Sequence, residues 1–259
     1  RDWIGGQDGS PATPYCQKGE TQLVKEKYEA AVQTFNRGIE LDRSHPGCWV
    51  GMGKAFLGLG RYDRADDCFI RALDIDPENP EALTMRASVL RLIALQNQDP
   101  MRCLEAVEIC NKTLKIHPEY GPALHEKGMA LWTLGKRDEA MSLFEQAKKI
   151  HASYQYPWDL KGRYLFEKRQ YHEAIEAYEE ALEKKPQDPD LLFSMGRALM
   201  KIGGYHSAIQ FFKKCLKIRP DYTAAWLLLG NSYKVLNQFD EAIDAYEEAM
   251  ELDPGSTKY

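Results

Sequence analysis

Six histidines and six cysteines are the side chains through which this 259-residue chain could carry nucleophilic, acid–base or metal chemistry. Such chemistry needs fixed spacing. Two histidines one helical turn apart around a glutamate hold zinc, a glycine-flanked serine makes a nucleophile elbow, and a glycine-rich loop ending in lysine cradles phosphate. None of these patterns occurs. His172 and His206 stand at equivalent places in two similar segments, but no carboxylate or cysteine is placed to complete a site with them, so they read as surface histidines. Asp74 and Asp76 precede Pro77 without the glycine or spacing of a calcium loop. Acidic pairs such as Asp66 with Asp67 and Glu179 with Glu180 read as solvated helix faces. Cys16, Cys48, Cys68, Cys103, Cys110 and Cys215 include no Cys-x-x-Cys pair. Several occupy positions that want a small apolar residue, so they are expected to be buried free thiols in a reducing, cytoplasmic compartment, with neither a structural disulfide nor a zinc site. The expectation is therefore a chain with no catalytic residues, no metal and no cofactor, and not an enzyme.

Bulk properties narrow the class further. A charged fraction of 28% with 11% aromatic residues is not a disordered composition. A formal net charge of −5 argues against a nucleic-acid binder, which needs a basic face for phosphate contacts. No apolar run approaches the length of a membrane span. Residue 1 is Arg, so the chain reads as a fragment or a processed form.

The elements that would position any site repeat along the chain with a period of about 34 residues. Seven units are expected, at 12–45, 46–79, 80–120, 121–154, 155–188, 189–222 and 223–256, after a flexible leader over 1–11 and before a tail over 257–259. Each unit reads as two helices. The third is about seven residues longer, with the excess between Leu95 and Met101 expected in the loop between its helices. The eighth slot of the units holds Gly19, Gly53, Ala87, Gly128, Gly162, Gly196 and Gly230. Glycine within a helix costs about 1 kcal/mol against alanine, so its recurrence implies a very close neighbour. Slot 20 is alanine throughout, from Ala31 to Ala242, and slot 24 is large in six units, including Phe35, Phe69, Phe144, Tyr178, Phe212 and Tyr246. Proline fills slot 32 in five units, at Pro77, Pro118, Pro186, Pro220 and Pro254, and ends the second helix. Arg43 and Ala152 stand there instead, and their turns are expected to be looser.

This set of slots resembles the tetratricopeptide repeat family over roughly residues 12–256. The resemblance implies an all-α fold, a right-handed α-solenoid of helix–turn–helix units. It also implies that the first helices line a concave groove through slots 2, 5, 9, 12 and 13. The groove residues so implied are Arg91, His125, Met129, Trp132, Tyr156, Asp159, Arg163, Phe166, Phe193, Arg197, Met200, Asn231 and Lys234. Arg163 and Arg197 share slot 9 of adjacent units, where two guanidinium groups could grip one acidic ligand between apolar anchors. Arg163 is equally spaced for an ordinary i,i+4 pair with Asp159. The lysine and asparagines by which one subfamily clamps chaperone C-termini are missing from slots 5 and 9, and so is the asparagine-rich groove of the peroxisomal import receptors.

Two functions fit. One is a non-enzymatic scaffold that binds a peptide or helix of a protein partner in the groove. The other is the repeat region of a larger enzyme or multisubunit assembly whose catalytic part lies elsewhere. The last helix carries Phe239, Ile243, Tyr246 and Met250 with little chain after it, so self-association through an uncapped edge is a further expectation.

Overall fold

The computed structural model describes residues 9–150 and 156–253. The expected leader therefore lies largely outside the described residues, as do Ala152, Pro254 and the tail. Among the described residues there are fourteen α-helices and no strand, in two compact units divided after Gln155. The first unit holds α1 (Thr13–Val24), α2 (Tyr28–Leu41), α3 (Pro46–Gly58), α4 (Tyr62–Ile75), α5 (Pro80–Asn97), α6 (Pro100–Ile116), α7 (Gly121–Thr133) and α8 (Arg137–Ile150). The second holds α9 (Trp158–Glu167), α10 (Tyr171–Lys184), α11 (Pro189–Lys201), α12 (Tyr205–Ile218), α13 (Thr223–Val235) and α14 (Phe239–Leu252). Within each unit every helix packs on the next. Odd-numbered helices also meet the next odd one, as α1 meets α3 and α9 meets α11. This is the stacked-hairpin pattern of an α-solenoid.

The slots explain the hairpins. A Cβ added at Gly19, Gly53, Gly128, Gly162, Gly196 or Gly230 would come within 2.7 Å of the slot-24 ring of the same hairpin. The close neighbour implied by those glycines is thus the aromatic ring that each second helix lays across its first. Phe35, Phe69, Phe144 and Phe212 have no solvent exposure, and the slot-20 alanines are buried beside them. Burial of each ring contributes about 1.5–3 kcal/mol. The turn inside a hairpin needs one left-handed residue. Gly60, Gly135 and Gly203 supply it at φ +69°, +79° and +81°, and Glu26, Arg169 and Asn237 adopt it at the same slot.

Two expectations about turns are corrected. The surplus of the third hairpin is not a loop: it lengthens α5 to 18 residues and α6 to 17, against 13 and 14 in α3 and α4. No glycine or proline interrupts the stretch from Leu92 to Asn97, so the first helix simply continues until Gln98 turns left-handed and Asp99 caps α6 through the Met101 N–H. Nor is the turn at Arg43 looser. The Trp49 indole N–H donates to the Arg43 carbonyl at 3.0 Å, as Trp226 donates to Pro220 at 2.8 Å. The bond falls on a backbone carbonyl, which arginine offers as well as proline does.

Candidate functional site

The implied groove residues meet different fates in the two units. In the first unit the charges are satisfied internally. The Arg91 Nε donates to Glu126 Oε1 at 2.5 Å, with both side chains nearly buried, so Arg91 is a structural partner of α7 rather than a free recognition group. Burial raises the Glu126 carboxyl above its ordinary range, with Arg91 and Ser88 opposing it. Lys54 lies between Glu81 at 2.6 Å and Glu20 at 3.4 Å, tying the first helices of three hairpins together. Burial works against its charge, but the two carboxylates outweigh that and hold its titration above the ordinary lysine value. His125 packs on Phe144 with ring centroids 5.5 Å apart, and burial, then Arg91, keeps its pKa below the usual imidazole value. Met129 and Trp132 are half-buried, and the Arg137 guanidinium lies 5.4 Å from the Trp132 ring.

In the second unit the same slots form an aromatic and cationic face. The Arg197 guanidinium lies 4.7 Å from the Phe166 ring of α9 and 5.7 Å from the Phe193 ring of α11. Among the described residues no carboxylate pairs with it, and its side chain is exposed. Phe166 also meets Tyr171 edge-on at 5.4 Å, and Phe193 meets Tyr222 at 4.7 Å, so both rings are fixed from behind. Arg163 is exposed on α9 and forms no ion pair with Asp159. Met200 is half-buried beside this cluster, and Lys234 is exposed on α13. Asn231 accepts a hydrogen bond from the Tyr246 hydroxyl at 2.8 Å. Tyr156 differs from expectation. It is buried, its ring tilted against Trp158 with centroids 4.7 Å apart and the Lys161 ammonium 5.3 Å away, and belongs to the packing of α9. Missed by the slot reading is Arg219, whose guanidinium pairs with Asp190 and covers the Tyr222 ring at 3.8 Å. Its place just before Pro220, outside the groove slots, hid it.

The cysteine expectation is also corrected. Cys68, Cys103, Cys110 and Cys215 are buried free thiols, and burial pushes Cys68 and Cys110 up to about 12. Cys16 and Cys48, however, are joined as a disulfide between α1 and α3, with Cα atoms 5.2 Å apart. Their sequence separation of 32 is close to one period, so stacking of adjacent hairpins brings them together. That signal was present once the period was known.

Three family models match the chain. The tetratricopeptide repeat is matched over residues 25–89 and again over 121–153. The model described as anaphase-promoting complex, cyclosome, subunit 3 matches residues 167–249. The chain belongs to the tetratricopeptide repeat family. Among curated relatives, anaphase-promoting complex subunit 3 of Schizosaccharomyces pombe is 26% identical over 130 residues, covering 49% of this chain and 18% of that protein. The protein CTR9 homolog of Arabidopsis thaliana is 30% identical over 135 residues, covering 51% of this chain and 12% of that one. The chain thus spans less than a fifth of either relative. A tetratricopeptide repeat protein from Parabacteroides merdae superposes with a TM-score of 0.59 over 95% of this chain and 94% of its own, at 15% identity, which is a similarity of fold. The Schizosaccharomyces pombe relative is by its name a subunit of a complex, and no helix among the described residues is long and apolar enough to cross a membrane.

Proposed function

We propose that this chain is a non-enzymatic interaction module whose second unit receives a peptide or helix of a protein partner on the first-helix face of α9, α11 and α13. The ligand carries apolar side chains and an acidic group. One observation carries the reading: Arg197 is exposed and unpaired by any described carboxylate, with its guanidinium held against Phe166 and Phe193. A stacked guanidinium keeps its in-plane N–H donors available for a carboxylate while the rings offer apolar area. Arg163 and Lys234 add positive charge on the flanking helices. The corresponding charges of the first unit are engaged with one another, so that face contributes less to recognition.

Fluorescence anisotropy tests this with labelled peptides that combine Leu or Phe with a Glu-rich end. The Arg163→Ala, Arg197→Ala double variant should bind about tenfold to a hundredfold more weakly, in the range of interface hot spots. Arg197→Lys should not restore binding, since an ammonium cannot stack and fork together. Unchanged affinity in the double variant refutes the assignment.

A second reading has its own support. The subunit-3 model falls within the second unit, over residues 167–249, so the same face could dock a neighbouring subunit of a larger assembly. Exposed Phe239, Ile243 and Met250 on α14 support a further contact by self-association, which light scattering would register as a dimer and an Ile243→Glu variant as its loss.

A further inference from the structure

We propose that Cys16 and Cys48 form a reversible oxidation site that reacts with a hydroperoxide, with His45 as the proton acceptor for Cys16. Three observations converge. The donor atoms of Cys16, His45 and Cys48 all lie within 4.8 Å of one another, and His45 Nδ1 is 3.6 Å from Cys16 Sγ. His45 precedes α3 at the position where Asn79 and Asp188 cap their helices, yet its side chain makes no capping bond and its ring approaches the sulfur instead. The site also accommodates both oxidation states. The two Cα atoms are 5.2 Å apart, within the usual cystine range, while Cys48 Sγ lies 3.9 Å from the Ala12 carbonyl, an acceptor for its hydrogen when reduced. Gly38 makes the room, because a Cβ there would stand 2.7 Å from Cys48 Sγ.

Accessibility sets the order of events. Cys16 touches solvent at 9% exposure and Cys48 has none, so Cys16 meets the oxidant. His45 takes the Cys16 proton as the sulfur attacks the terminal peroxide oxygen. The O–O bond breaks, the alcohol or water leaves with that proton, and Cys16 becomes a sulfenic acid. The Cys48 sulfur then attacks the Cys16 sulfur and expels water. Two thiols and one hydroperoxide thus give one cystine, one alcohol and one water. A thiol–disulfide exchange with a small dithiol reverses the step. The other four cysteines are buried free thiols, each held protonated chiefly by its burial, and serve as internal controls.

The fully reduced chain is treated with one equivalent of hydrogen peroxide, blocked with N-ethylmaleimide and mapped by mass spectrometry without reduction. The expected result is a peptide pair joined through Cys16 and Cys48, with the four other thiols blocked, and full reversal by dithiothreitol under native conditions. His45→Gln should slow cystine formation by about tenfold or more with the far-ultraviolet dichroism unchanged. Cys16→Ser should abolish the reaction and leave Cys48 to be blocked. The proposal is overturned by six blocked thiols, by oxidation spread over the other cysteines, by a cystine that dithiothreitol opens only in denaturant, or by a His45→Gln rate equal to the parent's. It is equally overturned if the reduced chain binds one Zn²⁺ through Cys16, His45 and Cys48, which would make the cluster a metal site instead.

Discussion

Replacing Gly196 by alanine should weaken the second unit, opposite in sign to what helix propensity gives. In an open helix interior the change is worth about 1 kcal/mol in favour of alanine. Here the new Cβ would stand 2.6 Å from Cε1 and 2.8 Å from Cζ of Phe212, where ordinary contact begins at 3.4 Å. Phe212 has no exposed surface and is enclosed by the cluster that holds Leu192, Ile209 and Leu229, so the ring must displace its neighbours by most of an ångström. Overpacking of this kind costs about 1–3 kcal/mol, and a rigid ring belongs in the upper half of that range, leaving a net loss of about 1–2 kcal/mol. The third hairpin shows the remedy. It alone has alanine in the glycine slot, Ala87, and it alone has a small residue in the ring slot, Cys110, the two sharing one core cluster. Adding Gly196→Ala to a Phe212→Cys background should therefore recover the propensity gain, giving a coupling of about 2–3 kcal/mol in the double-mutant cycle. Urea titrations of the four proteins, read as midpoint changes at constant slope, measure it. Stabilisation by Gly196→Ala with Phe212 in place would refute the account of the glycine slot.

Two further outcomes are expected. Arg91→Ala should destabilise the first unit by about 3–5 kcal/mol in urea titration, because Glu126 is left buried without its partner, whereas Arg91→Met combined with Glu126→Leu should fall much closer to the parent. The Asp42 carboxyl is held below its ordinary value chiefly by the hydrogen bond from Ser10 Oγ at 2.6 Å, with bonds from Ser44 adding to it. A depressed carboxyl stabilises the fold above its unfolded pKa and loses that contribution as pH falls through its folded pKa. Ser10→Ala should accordingly move the Asp42 titration upward in carbon-13 NMR and start the acid loss at a higher pH.

The hairpins were legible because their signals are local and repeated. Glycine facing an aromatic ring sixteen slots on, alanine at slot 20 and proline after the second helix each report contacts within one period, so the recurring copies reinforce one another. The extra residues of the third hairpin were misplaced because a period fixes their number and leaves their conformation to local propensity, and nothing between Leu92 and Asn97 breaks a helix. The candidate face was legible only as a roll of slots. Whether Arg91 is free depends on Glu126, 35 residues away on another helix, and whether Tyr156 is exposed depends on Trp158 and Lys161. Slot periodicity names the helix face that a side chain leaves from but not the partner it finds there. The Cys16–Cys48 pair is hidden for the opposite reason: motif spacings run along the chain, whereas stacking joins residues about one period apart.

The difference between the two units follows from charge arithmetic at neighbouring slots. In the first unit, slot 9 holds Glu20 and then Lys54, and Glu81 follows in slot 2 of the next hairpin, so opposite charges on adjacent first helices meet and neutralise. In the second unit slot 9 holds Arg163, Arg197 and Asn231, with no acid among them. Asp190, the acidic residue at slot 2 of α11, is drawn to Arg219 at the turn before α13. Arg197 is thereby left with aromatic rings instead of a carboxylate, and stacking stabilises its aliphatic and guanidinium planes without satisfying its donors. An array of similar hairpins can thus keep one fold while the sign of a single slot decides which part pairs its charges internally and which part holds an arginine against aromatic rings.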